Sequence, residues 1–536
     1  MTLADKTFDT IVVGGGIAGL TSAAYLARGG QRVLLIEKNK EFGGLVSTFS
    51  HNGFHFDAGV RALEDAGVIF PMLKELDIDL EFVKSPVSVG VEQDILNIEN
   101  LDSLIGYREL LVKLYPESEV EINALMKSIR KIMKDMDVLY GIENPAFKDL
   151  KHDKAFIFCK LLPWLPKFMF TARKINKMHM PVEGYLKNLI SNPSLRDIVS
   201  QHFFKNTPTF FAMSYFSLYL DYFYPVGGVG MLADAVKHKF LESGGNLQAE
   251  TSVMELLADQ RLVKDQYNNI YHFDQLVWAA DLKTLYRISN TEGLEPVIAA
   301  KHRDEKERKL ARRGGDSIFA VFLEVDEPLE SFRKIANGHF FYTPSKQGLG
   351  TTHWRDLDQL LDRFEQLEKD EVLDWLDRFT RLNTYEISVP GLKDTGMVPE
   401  GKTGMIISLL AEYDLFSKVR DAGWYEEFIK AFEDRIINVI SQSVYPMLKD
   451  KVIHRFSFTP LSIENRVGSS EGAITGWSFQ ESIPVVHKVQ LADRSVITPI
   501  PYIYQAGQWS YSPAGVPMSI LTGKIAADKI LKKTKS

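Results

Sequence analysis

The apolar positions of this chain change period repeatedly, and the first change is the sharpest. Ile11, Val12 and Val13 form a β-branched run that reads as a buried strand. Gly14-Gly15-Gly16-Ile17-Ala18-Gly19 breaks it, and residues 20–28 continue in an alanine-rich helical pattern. A second apolar run over 32–36 reads as a strand and stops at Glu37. Helical spacing returns over 67–80 and 101–140, with Ile122, Leu125, Met126, Ile129, Ile132 and Met133 recurring in the second of these, while 83–91 between them alternates like one strand. Ring side chains crowd 203–224. Further strands are predicted over 251–256, 276–281, 317–325, 340–342 and 404–410, and helices over 232–241, 355–382, 424–448 and 518–531. Residues 301–313 read as a solvated helix of mixed charge.

Strand, glycine turn, helix, second strand and terminal acid are the ordered parts of a dinucleotide-binding unit. Gly14 permits the tight turn, Gly16 lets the backbone approach a pyrophosphate, and Gly19 lets helix and strand pack closely. The phosphates then rest on the free N–H groups at the start of the helix, and Glu37 accepts hydrogen bonds from a ribose.

The residues after Glu37 narrow the choice of dinucleotide. Gly43-Gly44 follows almost at once, and Phe56-Asp57-Ala58-Gly59 a little later. Here the chain resembles the FAD-dependent family that contains the phytoene desaturases, carotenoid isomerases and retinol saturases and, more distantly, the flavin amine oxidases. That family has a double glycine after the ribose acid and a Phe-Asp-x-Gly segment near the flavin. The resemblance continues through Pro225-Val226-Gly227-Gly228, through Val253, through Asp394 and Pro399-Glu400-Gly401, and through residues 503–517. It implies an α/β fold, a Rossmann-like FAD-binding domain (GR2-type) with an inserted α+β substrate domain. The implied division is 1–95, 225–310 and 455–536 for the FAD-binding parts, with 96–224 (helical) and 311–454 (sheet plus helices) for the substrate domain.

The resemblance also implies one FAD, bound noncovalently. At the first turn it assigns Gly14, Gly16, Ile17, Ala18, Gly19, Glu37 and Lys38 to the cofactor. Beyond that turn it assigns Gly43, Gly44, Leu45, Asp57 and Gly59. Midway it assigns Val253, whose backbone meets adenine, and Ala280. Near the end it assigns Gly507 and Gln508 by the ribityl phosphate, with Gly515, Val516 and Pro517 under the ring. Three positions depart from the family: Leu45 stands where Arg is common, Gln508 where many amine oxidases have Asp, and Ala514 where glycine is usual. The last two point away from the amine-oxidase branch.

Composition changes this picture in two places. A length of 536 residues calls for two or three domains, and a formal charge of −7 argues against a nucleic-acid partner. Cys159 is the single cysteine, so no internal disulfide forms and a reducing compartment is expected. Residues 1–10 are polar and resemble no export signal, and no uninterrupted apolar run reaches the length of a spanning helix. The expectation is a cytoplasmic protein whose membrane contact is at most peripheral, on the inner face. Residues 154–182 supply that contact: they hold no acid, and they interleave Lys154, Lys160, Lys167, Arg173, Lys174 and Lys177 with Trp164, Phe168, Met169 and Phe170. Pro163 and Pro166 are expected to interrupt any long helix there. A buried helix pair with lysines reaching solvent is the alternative.

No competing catalytic constellation stands out. His51 and His55 are four apart, but Gly53 and strand-like surroundings argue against a helical metal pair, so no metal is expected. No GxSxG elbow is present. In flavin chemistry the cofactor carries the reaction, so polar catalytic side chains can be few, and none is assigned. The family implies an FAD-dependent oxidoreductase acting on carbon–carbon bonds of a long apolar polyene or isoprenoid-type substrate, by desaturation, saturation or cis–trans isomerisation. A flavin amine oxidase and a non-catalytic flavin-binding protein are the alternatives.

Overall fold

The computed structural model describes residues 7–350 and 353–534. Two sheets organise it. In the first, Thr7–Val13 lies between Val33–Ile36 and Ile270–Trp278, parallel to both, and Asn246–Gln248 extends the sheet beyond Val33–Ile36. The long strand Ile270–Trp278 is shared on its other edge: its first half pairs antiparallel with Leu262–Asp265 and its last three residues pair parallel with Ile503–Gln505. Val33–Ile36 is buried along its whole length, as expected for a parallel strand covered on both faces. Helix Ile17–Arg28 covers one face, and its small residues let the final helix, Val516–Thr534, cross it closely. A Cβ added to Gly523 would meet the Ala18 carbonyl oxygen at 2.5 Å, and Ser22 Oγ donates to the Gly523 carbonyl at 2.7 Å.

The second sheet runs Val452–Phe458, Ser317–Val325, Thr403–Ala411, Tyr385–Ser388, His339–Thr343, Val87–Val91, Asp94–Ile98. Its alternation sorts side chains between two layers. From one strand, Phe319, Val321 and Leu323 meet the apolar faces of helices Lys369–Leu382 and Tyr425–Ser443, where Phe319 and Phe432 stack at 4.2 Å. Ala320 and Phe322, on the other face, pack on Phe54 and Phe56 of the hairpin Thr48–His51/Phe54–Asp57. Each such ring contributes about 1.5–3 kcal/mol by burial.

This pairing corrects the sequence division at two places. The run read as one strand over 83–91 is broken by Pro86, which has no N–H to give a ladder. Phe82–Lys84 joins Tyr222–Pro225 in a small sheet, while Val87–Val91 pairs parallel with His339–Thr343. Residues 87–98 therefore belong to the second sheet, not to a first segment ending at 95. Likewise Val452–Phe458 is an edge strand of that sheet, so the change at 454 falls inside an element. The helix expected over 355–382 is two, His353–Asp362 and Lys369–Leu382.

Helices Ser103–Leu114 and Glu119–Leu139 start the inserted helical part, with Ile122, Leu125, Met126, Ile129, Ile132, Met133 and Met136 in its core. Pro163 and Pro166 do not interrupt the next element. Lys154–Ile175 is one continuous run of 22 residues, and a π-helical stretch, Ile157–Leu161, precedes the prolines. The wider turn places Cys159, the residue four before Pro163, outside the regular α ladder, so the ring displaces no α-helical bond there.

Gly19 tests the close packing at the first turn, because its Cβ would lie 1.9 Å from the Gly14 carbonyl oxygen. Gly19→Ala is expected to cost at least about 1–3 kcal/mol, the usual penalty of overpacking, read as a lower urea midpoint of the cofactor-free chain.

Candidate cofactor and substrate site

The carboxyl ends of the central strands open into one cavity of about 740 Å³. Gly14, at φ 103°, makes the turn out of Thr7–Val13 in a conformation that favours glycine, and a Cβ there would strike the Ala279 backbone at 2.9 Å. At Gly16 a Cβ would meet nothing within 4 Å, so the backbone borders open space. The first-turn N–H groups of helix Ile17–Arg28 have no carbonyl one turn behind them. The N-terminus of Val516–Thr534 borders the same cavity through Gly515, Val516 and Ser519, so two positive helix ends face it.

Glu37 is almost fully buried at the end of its strand. Its Oε2 accepts the Gly15 N–H at 2.6 Å, and its Oε1 accepts the backbone and side-chain N–H groups of Asn39, both at 2.9 Å. A carboxylate offers about four lone-pair sites, so Oε2 retains room for a further donor such as a ribose hydroxyl. The Glu37 carbonyl in turn accepts the Thr251 N–H at 2.9 Å, bringing Thr251, Ser252 and Val253 to this end. Open space at Gly16, two helix ends and an acid with acceptor capacity fit a dinucleotide.

The other end of the cavity is an aromatic chamber between the helical part and the second sheet. Phe204, Phe211, Tyr215, Leu218 and Tyr222 line one side; Ile318, His339, Phe341, Glu386 and Leu409 line the other. The dense rings of 203–224 thus divide, since Phe203, Phe216 and Tyr219 are buried in the core. Polar groups on the sheet side are paired in part, while His339 Nδ1 and Arg61 Nε and Nη2 are buried without a partner among the described residues. His339 Nε2 meets Glu386 Oε1 at 3.0 Å, and Lys393 Nζ donates to the Arg61 carbonyl at 2.6 Å and to Ser388 Oγ at 2.9 Å. Burial opposes the Glu386 charge, but the His339 contact and the charges of Arg61 and Lys393 hold its carboxyl below the usual range. Burial pushes the Lys393 ammonium down to about 8 and the His202 imidazole down to about 4. On the other side, burial pushes the Glu64 carboxyl up to about 7.

Most of the residues assigned from sequence meet at this cavity: Gly14, Gly16, Ile17, Ala18, Glu37, Lys38, Gly43, Gly44, Leu45, Gly59, Val253, Ala280, Gly507, Gln508, Gly515 and Val516 all line it. Gly19, Asp57 and Pro517 do not. Gly19 is packed on the Gly14 backbone, and Pro517 lies buried in the first turn of the last helix. Asp57 is a correction of chemistry as well as of place. Its Oδ1 accepts Val229 N–H at 3.0 Å and Thr48 Oγ at 2.9 Å, and its Oδ2 accepts Tyr224 O–H at 2.7 Å. It is a clamp that ties the hairpin to the turn after Pro225.

Sequence reasoning missed Arg61, Glu64, His339 and Glu386, which lie in strands and turns with no motif and meet only through pairing of separate sheets. It also missed a cluster of His51, Glu324 and His454, the one group of metal-ligand type found among the described residues. His51 Nδ1 lies 2.5 Å from Glu324 Oε1, a hydrogen-bond distance shorter than the roughly 3 Å or more between two ligands that each sit ~2 Å from a tetrahedral ion.

Residues 12–76 match the NAD(P)-binding Rossmann-like domain family. Over nearly its whole length the chain is similar to all-trans-retinol 13,14-reductase of Macaca fascicularis, 22% identical over 98% of this chain and 86% of that protein. It is equally similar to the carotenoid 3,4-desaturase of Haloarcula japonica, 22% identical over 98% of each. An oxidoreductase from Methanosarcina mazei shares the fold at a TM-score of 0.61, with 14% identity, over 99% of this chain and 100% of that one. The fold is thus that of the Rossmann-like oxidoreductases. Within them, the chain is a distant relative of the retinol reductases and carotenoid desaturases.

Gly16→Val separates binding from folding. Its side chain enters open space, so thermal unfolding of the cofactor-free chain should match wild type, while dinucleotide uptake on reconstitution is abolished.

Proposed function

We propose that the chain is an FAD-dependent oxidoreductase acting on carbon–carbon bonds of a long apolar polyene or isoprenoid-type substrate. The observation that carries this reading is the continuity of the cavity: the space beside Gly16 and the two helix ends runs without a break into a chamber walled by Phe211, Tyr215, Leu218 and Phe341. FAD, when bound, supplies hydride chemistry and needs no side-chain nucleophile. The chain's part is to bind and orient. Gly16, Ile17 and Ala18 receive phosphates, Glu37 receives a ribose, and the rings of the chamber exclude water and hold an apolar chain in place. The related retinol reductase and carotenoid desaturase, acting on polyenes as their names state, support the substrate class.

Such a substrate is collected from a bilayer, because each buried CH₂ favours an apolar phase by about 0.8 kcal/mol. The helix Lys154–Ile175 suits that task. Phe158, Leu162, Leu165 and Met169 recur at helical spacing on its exposed side, with Phe158 66% and Phe170 73% exposed. Lys167, Arg173 and Lys177 flank them, without an acidic partner among the described residues. The opposite side is fixed to helix Glu119–Leu139: Trp164 Nε1 donates to the Val138 carbonyl at 2.6 Å, and Lys174 pairs with Asp135. By length and composition this helix could also cross a membrane. Its packing along one side favours an in-plane position with the apolar face in the lipid.

Two outcomes are expected. The reconstituted protein carries one FAD; under anaerobic conditions its reduced form is reoxidised by all-trans-retinol, or its oxidised form is reduced by a linear carotenoid, and putrescine does neither. Bleaching by putrescine alone refutes the substrate class. The protein also floats with anionic liposomes in a salt-sensitive manner, since each Lys or Arg at such a surface contributes about 1 kcal/mol. Combined Lys167→Glu, Arg173→Glu and Lys177→Glu should abolish flotation with FAD content unchanged; undiminished flotation would refute the docking role.

A further inference from the structure

Glu64 stands apart from every other ionisable group of the chamber. It ends the two-residue strand Leu63–Glu64, directly opposite Tyr222, on the wall that faces the second sheet across the cavity. Its Oε1 lies 3.6 Å from where a Cβ on Gly515 would be, at the loop that opens the last helix. Its carboxyl makes no hydrogen bond to another side chain among the described residues. The groups that face it are Asp221, Tyr140, Tyr215 and Tyr222, all without positive charge, and Glu386 stands across the chamber.

Lys393, pushed down to about 8, does not line the cavity, and the other ionisable groups of the chamber are poorer proton carriers. Glu386 is held ionised by His339, Arg61 and Lys393. Burial keeps His202 and His339 neutral near pH 7, and it raises the Tyr215 and Tyr222 hydroxyls out of the accessible range. Two carboxyl groups thus share one chamber with their proton affinities moved in opposite directions, an arrangement that assigns acid and base roles in other enzymes. Glu64 is the member that burial moves into the neutral range, so that it can hold a proton there, and it has no side-chain partner among the described residues.

We propose that Glu64 is a catalytic residue, the proton donor in saturation of a substrate double bond and the proton acceptor in the reverse reaction. The inference rests on the polyene reading above. In the saturating direction the π bond breaks: one carbon takes a hydride, with its electron pair, from reduced flavin, and the other takes the proton of the Glu64 carboxyl. Two C–H bonds form, the flavin is left oxidised by two electrons, and the Glu64 carboxylate regains a proton from solvent. Desaturation runs the same steps backwards, with oxidised flavin accepting the hydride and the Glu64 carboxylate accepting the proton.

The test uses FAD-loaded wild type, Glu64→Gln and Glu64→Asp, with all-trans-retinol and a linear carotenoid as probes. Removing a general acid typically costs 10²–10⁴-fold, so Glu64→Gln should lose that much in the rate of flavin oxidation or reduction, with partial rescue in Glu64→Asp. Two readouts need no turnover. Bound-flavin absorbance should titrate with a midpoint near 7 in wild type and not in Glu64→Gln. Stability gives the second: Glu64 loses its proton near 4.5 when unfolded and near 7 when folded, so the folded state holds more protons in between, and wild type loses stability as pH rises through that window. Glu64→Gln lacks this loss and should be more stable than wild type at pH 8 than it is, by the same comparison, at pH 4. Failure of both probes with wild type would overturn the polyene reading. Absence of the flavin titration in wild type, or a Glu64→Gln enzyme with wild-type rates, would overturn the role of Glu64.

Discussion

The contact on which the site depends is the meeting of backbones at the first turn. Gly19 lies against the Gly14 carbonyl and Gly14 against the backbone of Ala279, so the first helix starts as close to the sheet as atoms allow. Gly523 repeats the arrangement from the other side, against the Ala18 carbonyl. Two helix N-termini are thereby brought to one cavity, one from near the start of the chain and one from its end. An anion there meets partial positive charge from both, in a setting with little water to screen it. The aromatic chamber opens onto this same point, where a dinucleotide would lie.

A second constraint joins the two sheets. The hairpin Thr48–His51/Phe54–Asp57 gives Phe54 and Phe56 to the face of the second sheet, while Asp57 binds the turn after Pro225. Gly228 and Gly230 come so near Thr48 that a Cβ on either would overlap it. The hairpin therefore fixes the spacing between the wall that carries Glu64 and the wall that carries Glu386. Burial of so many polar groups near one another is costly unless they are paired; Glu386 and Lys393 are, while His339 Nδ1 and Arg61 Nε and Nη2 are buried without a partner among the described residues. Glu64 is a buried acid without a side-chain partner among the described residues, the kind of local departure from good packing that functional sites retain.

The exposed face of Lys154–Ile175 is the converse case. Apolar residues with helical spacing normally mark a buried stripe, yet here Phe158, Leu162, Leu165 and Met169 look outward while Trp164 and Ile175 look inward. Two faces of one helix are apolar, and only one has a protein partner.

The sequence by itself determined whatever depends on neighbours along the chain. The strand, glycine turn, helix and Glu37 were legible because each uses a local rule: β-branched residues extend, glycine turns, alanine coils, and the spacing sets the distance. The strands Ser317–Val325 and His339–Thr343 and the helix Glu119–Leu139 were legible for the same reason. Tertiary structure alone decided which strands share a sheet, so that Val87–Val91 left the segment it follows and joined His339–Thr343. It decided that Asp57 would be a clamp, because the donors that hold it come from Thr48, Tyr224 and Val229. It also decided that Glu64 and Glu386, more than three hundred positions apart, would line one chamber with their proton affinities moved in opposite directions. Protonation depends on burial and on the charges that surround a group, and neither exists until the chain has closed around it.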